Sequence, residues 1–203
     1  PYLMPLILMP LKKQYPQMKL VLHEETTDNL LDHLHGHQID VAILGTPPPD
    51  PDLVEVPLFD EPFWLAHHAG HELYTKDEIT RKDLRQLDLL LLADGHCLAR
   101  QVMDVCQVSE QTLGDVSADL RAASLETLLQ LVSAGYGSTL VPALAMQGSW
   151  MTGSGIIARK LEVKDAFRTV RLVYRSTFPR KEAINILTDV IKSNLPNTVT
   201  KKY

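Results

Sequence analysis

The chain has 203 residues, 45% apolar and 22% charged, enough for a real hydrophobic core and typical of a folded globular protein. A net charge of −5 and a pI near 5.9 exclude an electrostatic footprint for nucleic acid. The longest apolar run, "LLLLA" at 89–93, is far too short to cross a bilayer, and no secretory leader pattern opens the chain. No membrane partner is expected.

The first 45 residues alternate between element types. "YLMPLILMPLKKQYP" reads as a helix interrupted by prolines, "MKLVLHEE" (18–25) as a strand, and "TTDNLLDHLHG" as a helix with Gly36 at its C-terminal end. "IDVAILG" (39–45) is apolar enough for a buried parallel strand, which makes the stretch from 18 to 45 a β-α-β unit. "TPPPDPD" (46–52) is a stiff loop, and "LVEVPLF" and "PFWLAHH" are two short extended segments. The alternation restarts near residue 80. "DLLLLAD" (88–94) is a strand, 97–107 a helix, and "VSADLRA" (116–122) a strand. "SLETLLQLVSAG" (124–135) is a helix capped by Ser124, with Glu126 in its first turn, where the helix dipole favours an acid. "STLVP" and "TVRLVYR" (169–175) are strands, and "PRKEAINILTDVIKSNL" (179–195) is a closing amphipathic helix.

This is α/β patterning twice over, bracketed by the extended stretches 62–68 and 169–175. It predicts two lobes: residues 1–63 with 174–203, and residues 64–173 between them. A cleft between two such lobes is a common place for a small-molecule site.

The chain's only cysteines lie in "ADGHCLARQVMDVC" (93–106). Cys97 falls at the start of the expected helix, directly after His96. A helix N-terminus and a neighbouring histidine both favour a thiolate, the species that attacks peroxides and disulfides. Cys106 is placed as a candidate resolving thiol. Nine residues of helix span about 13–14 Å, while a disulfide needs Cα atoms within about 7 Å. A bond between the two therefore requires the helix to unravel, and oxidation would act as a conformational switch. On the residues alone, the alternative stays open that both are small buried apolar side chains. Two cysteines in 203 residues fit a reducing, cytoplasmic compartment.

The words around the cysteines resemble the peroxide-sensing regulators of the LysR-type family. "DGHC" with a second cysteine nine residues on, and "EVPLFDEP" at 55–62, match the peroxide sensors. "DVAI" and "ETLLQLVSAGYG" match LysR-type regulators in general, and "PYLMPLI", "LHEETTDNLLDHLHGHQIDVAIL" and "RLVYR" extend the resemblance to nearly the whole chain. The resemblance implies two Rossmann-like lobes joined by two crossing strands, similar to periplasmic binding proteins. It also implies Cys97 as the peroxidatic thiol and Cys106 as its disulfide partner. Thr27, His96 and Arg175 match residues around the peroxide and the reactive thiol. The family reads Cys-Leu-Arg where this chain has Cys97-Leu98-Ala99, so Arg100 is the candidate stand-in for the missing arginine. Segment 107–120 has no match in the pattern.

The implied partners are hydrogen peroxide as the signal, further copies of the chain (a dimer of this domain, a tetramer of the full-length regulator), and RNA polymerase. DNA would be reached only through a winged helix-turn-helix upstream of Pro1, since the chain reads as an excised regulatory part. Neither an organic cofactor nor a metal is expected. The histidine clusters "HLHGH" and "HHAGH" could chelate in principle, but His33 and His35 are explained by a helix C-terminus. Two rival functions stay in view. One is a LysR-type domain that binds a small metabolite, with incidental cysteines. The other is a thiol peroxidase, against which stands the lack of Thr-x-x-Cys before Cys97.

Overall fold

The computed structural model describes residues 1–109, 111, 120–147, 153 and 155–202. The chain divides into two compact units, one of Pro1–Glu61 with Arg168–Tyr203 and one of Pro62–Phe167. Strand β2 (Leu53–His68) contributes its first nine residues to the first unit and its last seven to the second. It is one continuous strand rather than two short segments. Pro57 and Pro62 interrupt the pattern of apolar residues, but neither ends the extended backbone.

The first unit contains helices α1 (Met4–Gln14) and α2 (Thr27–His35), strand β1 (Val41–Leu44), and β7 (Phe167–Arg175). A closing helix, here α6 (Lys181–Ser193), and a short strand β8 (Thr200–Lys201) complete it. β1 pairs antiparallel with β7, from Val41 opposite Tyr174 to Leu44 opposite Arg171, and β8 pairs with β2 at Phe59 and Asp60. Leu34, Ala42, Leu44, Leu53 and Val173 form a buried cluster between α2 and this sheet.

Here the expected β-α-β unit is corrected. Residues 18–25 form no strand, and β1 meets an antiparallel neighbour instead of a parallel one. The alternation of 18–25 is genuine, but among the described residues no ladder partner lies beside it, and Val21 is 82% exposed. An alternating segment without a partner and without a face to bury has nothing to hold it as a strand.

Between β2 and β7 lies a partly buried ion pair. Arg168 donates from Nε (2.9 Å) and Nη2 (2.8 Å) to the same oxygen of Glu61, whose carboxylate is 1% exposed. Thr169 adds a hydroxyl bond to Asp60 at 2.7 Å. These contacts join the two strands side by side.

The second unit is built on the far half of β2. It is flanked by β5 (Thr139–Pro142) and β6 (Ile156–Lys160), both antiparallel to it. A parallel pair, β3 (Leu91–Leu92) with β4 (Arg121–Ala122), continues toward β5 through a parallel bridge from Leu89 to Ser138. The strand expected over 88–94 is thus shortened to two residues, with one bridge at Leu89 before them. Of the strand expected over 116–122 only 121–122 is seen, since 116–119 lie outside the described residues. Gly137 sits where an added Cβ would fall 2.4 Å from the Asp88 carbonyl, so only glycine lets these backbones pair so closely.

Among the described residues, the α-helices of this unit are a single turn α3 (Arg81–Leu84), α4 (Cys97–Cys106) and α5 (Leu125–Ser133). Ser124 caps α5, its hydroxyl accepting from the Thr127 N–H at 3.1 Å, and Leu128, Leu129 and Val132 form the buried stripe. No helix among the described residues is long and apolar enough to cross a membrane.

Candidate functional site

The cysteine helix begins in a tight turn. Gly95 has φ 90°, a left-handed conformation that glycine adopts without strain, and it turns the chain from β3 into the helix. His96 is the N-cap residue, with extended backbone, and its carbonyl accepts from the Ala99 N–H at 3.0 Å. Cys97 is the first helical residue. It is half-buried and its thiol is free. Position N1 places it among the N–H groups that have no intrahelical acceptor, where an anion is favoured.

The helix then buries Leu98, Ala99, Val102, Val105 and Cys106 in the core of the second unit. Their spacing makes one continuous apolar stripe, and it leaves Arg100 exposed to solvent. Arg100 follows Cys97 by three positions and is its neighbour on the helix surface. Ala99 faces the core, and at this position a guanidinium would have to be buried.

Cys106 ends the helix in an opposite setting. It is 0% exposed, and burial pushes its thiol up to about 12, with the nearby Arg81 charge acting against that rise. At neutral pH it is a protonated, inert thiol. Both cysteines are free, and the helix between them holds them about 13–14 Å apart. The helix thus holds one accessible thiol at its anion-favouring end and one sealed thiol at the other.

The remaining residues singled out by sequence divide between the units. Arg100 and both cysteines lie on α4, and His96 caps it, in the second unit, while Thr27 and Arg175 belong to the first. Thr27 is the first residue of α2 and is partly buried, next to the N-cap Thr26. Arg175 ends β7 and is buried. Its Nη1 donates to the Ile39 carbonyl at 2.8 Å and to the Leu34 carbonyl at the close of α2. Arg175 and Thr27 therefore mark opposite ends of one helix.

Sequence reasoning missed Arg81, Arg85 and Asp165. Arg81 donates to the Val105 carbonyl at 2.9 Å and pairs with Asp165, and Arg85 bonds the side-chain oxygen of Gln107. They stand 12 or more residues from Cys97 in sequence, and "RKDLR" alone reads as a solvated charge run. The histidines fall into separate local roles. His35 bonds Asp50 at 2.5 Å, and His68 and His71 each accept a backbone N–H two residues on. Among the described residues no group of three or more His, Cys, Asp or Glu is arranged to hold a metal.

The family model for the LysR substrate binding domain matches residues 1–196, and the chain belongs to that family. Within it, the chain is similar to OxyR regulatory domains. A reduced form of OxyR from N. meningitidis superposes with a TM-score of 0.87 at 27% identity, covering 100% of this chain and 94% of that one. The hydrogen-peroxide-bound cysteine variant of OxyR from Corynebacterium glutamicum gives 0.85 at 34%, covering 96% and 61%. The two-lobed fold similar to periplasmic binding proteins, expected from the sequence, is the fold of these neighbours. Among curated relatives, the DNA-binding transcriptional dual regulator OxyR of Escherichia coli K12 is 35% identical over 96% of this chain and 63% of its own. A probable hydrogen peroxide-inducible genes activator of Streptomyces viridosporus is 45% identical over 72% of this chain and 46% of its own. The chain thus spans about half to two-thirds of the length of these relatives.

Proposed function

We propose that this chain is the redox-sensing regulatory domain of a cytoplasmic transcription activator that responds to hydrogen peroxide. One observation carries the reading: an accessible Cys97 and a sealed Cys106 occupy the two ends of one helix, both as free thiols. The similarity to OxyR regulatory domains supports it.

The chemistry runs in two steps. The Cys97 thiolate attacks one peroxide oxygen, the O–O bond breaks, and the leaving hydroxide is protonated to water, leaving Cys97 as a sulfenic acid. Cys106 cannot take part while it is buried and protonated. Once α4 opens, the Cys106 sulfur attacks the Cys97 sulfur, the S–S bond forms and the S–O bond breaks. Hydroxide then leaves as a second water with the Cys106 proton. A cellular dithiol reductant resets the sensor. His96 and Arg100, beside Cys97 on α4, serve the first step. Thr27 and Arg175 are assigned to the same step by their match to the sensor pattern. The melted helix changes how copies of the domain pack. DNA is bound by a domain outside these 203 residues, and RNA polymerase is the downstream partner.

The experiment is a thiol count before and after brief peroxide exposure, with a sulfenate probe. Wild type should consume one equivalent per chain and lose two thiols. Cys106→Ser should trap a sulfenate, and Cys97→Ser should be inert. Equal reactivity in wild type and Cys97→Ser overturns the assignment, and continued turnover without added reductant would make the protein a peroxidase.

A further inference from the structure

The C-terminal end of α4 is held from outside the helix. The following residue, Gln107, closes the helix at φ 55°, a left-handed conformation disfavoured for a non-glycine side chain, and there the Gln107 and Val108 N–H groups bond the Asp104 and Met103 carbonyls, each at 3.1 Å. Those capping bonds go to Met103 and Asp104 and not to the Val105 carbonyl. Arg81 donates to that carbonyl from outside the helix, its Nη1 bonding it at 2.9 Å. Its other terminal nitrogen is paired with Asp165, from a different part of the unit, so the guanidinium is fixed at both ends. Arg85, the residue that follows α3, grips the side chain of Gln107. α3 is itself anchored by Asp83, whose carboxylate accepts from the Thr80 N–H (2.9 Å) and hydroxyl (2.6 Å) and pairs with Lys76. A cation at a helix C-terminus is favourable in addition to the hydrogen bond.

We propose that Arg81 is a positioning residue that latches the Cys106 end of α4 in the reduced state and so sets how readily Cys106 is released to form the disulfide. The proposal rests on the disulfide chemistry proposed above. Its logic is a matter of which state holds the contact. The Arg81–Val105 bond requires residue 105 in helical register beside α3. Bringing Cys106 within about 7 Å of Cys97 pulls that carbonyl away. The latch therefore stabilises the reduced state only, and it opposes the second oxidation step while leaving the first untouched. At neutral pH the Cys106 thiol is uncharged, so the Arg81 charge acts on the carbonyl and on Asp165 rather than on the sulfur.

The test compares wild type with Arg81→Met, which keeps the aliphatic stem and removes the donors, and with Arg81→Lys and Asp165→Asn. In glutathione redox buffers, Arg81→Met should raise the disulfide-forming equilibrium constant about fivefold, a potential about 20 mV more negative. Disulfide closure after a peroxide pulse should be several times faster. Sulfenate formation at Cys97, measured in the Cys106→Ser background, should not change. Arg81→Lys, with one donor nitrogen, should fall between wild type and Arg81→Met, and Asp165→Asn should shift the equilibrium in the same direction by less. If Arg81→Met does not fold, the Lys and Asn variants carry the test on the same two readouts. Unchanged equilibrium and closure rate in folded variants overturn the latch, as does an equal change in the sulfenate step. A wild type that forms no Cys97–Cys106 bond overturns the underlying function instead.

Discussion

Arg175 Nη1 donates to the main-chain carbonyl of Ile39 at 2.8 Å, and the same nitrogen reaches the Leu34 carbonyl at the end of α2. A residue matched to the sensor chemistry is thus also a bracket for the α2–β1 connection. Arg175→Met should leave two carbonyls without their donor in a buried place, at about 2 kcal/mol of stability. Arg175→Lys, which keeps one charged donor, should recover part of it. Thermal denaturation gives the stability and stopped-flow peroxide consumption the chemistry. If Arg175→Lys restores stability but not the rate, the guanidinium acts in the reaction as well as in the fold. A stability loss below about 0.5 kcal/mol in Arg175→Met would show that water replaces the bracket.

Oxidation should melt α4 and little else. Amide hydrogen exchange on reduced and oxidised protein should show residues 97–107 losing protection while β1 and β7 keep theirs. Persisting protection across 97–107 in a protein with a proven Cys97–Cys106 bond would contradict the helix geometry, since an intact helix holds these residues about 13–14 Å apart.

His67 gives the second unit a pH dependence. Its ring is fully buried, with Nδ1 against the His68 carbonyl at 2.8 Å and Nε2 without a hydrogen-bond partner among the described residues. Burial, opposed in part by that bond, lowers its pKa below 6.5, with His71, Arg159 and His68 adding smaller repulsions. The folded state then binds fewer protons than the unfolded chain between the lowered value and 6.5, so stability rises with pH across that window. Thermal midpoints should be level above about pH 7 and fall as the pH drops below about 6.5. His67→Asn, which keeps a donor near the His68 carbonyl and cannot titrate, should flatten that part of the curve. Parallel curves for the two proteins would remove His67 as the cause.

Gly137→Ala should destabilise the protein by about 1–3 kcal/mol, because the new methyl group would meet the Asp88 carbonyl at 2.4 Å and backbone cannot step aside as a flexible side chain can. Chemical denaturation measures the loss. A variant as stable as wild type would mean that the 88–90 and 138 segments separate at no cost.

Local signals were enough for several elements. Ser124, Glu126 and the Leu128–Leu129–Val132 stripe define α5 without reference to the rest of the chain, because capping and helical periodicity are properties of neighbours in sequence. The same holds for α4, where Gly95, His96 and the apolar spacing from Leu98 to Cys106 mark both start and face. The position of Cys97 at a helix start and of Cys106 one face and nine residues away was therefore readable, as was the conflict between that helix and a disulfide. Strand pairing was not. Residues 18–25 carry a good alternating pattern and form no strand, while Leu53–His68 runs through two prolines as one, because a strand exists only where another segment offers its N–H and C=O groups. Arg81 was invisible for the same reason: its contacts to Val105 and Asp165 cross 24 and 84 residues. A charged residue on a one-turn helix acquires its task only from the carbonyl and the carboxylate that folding brings to it.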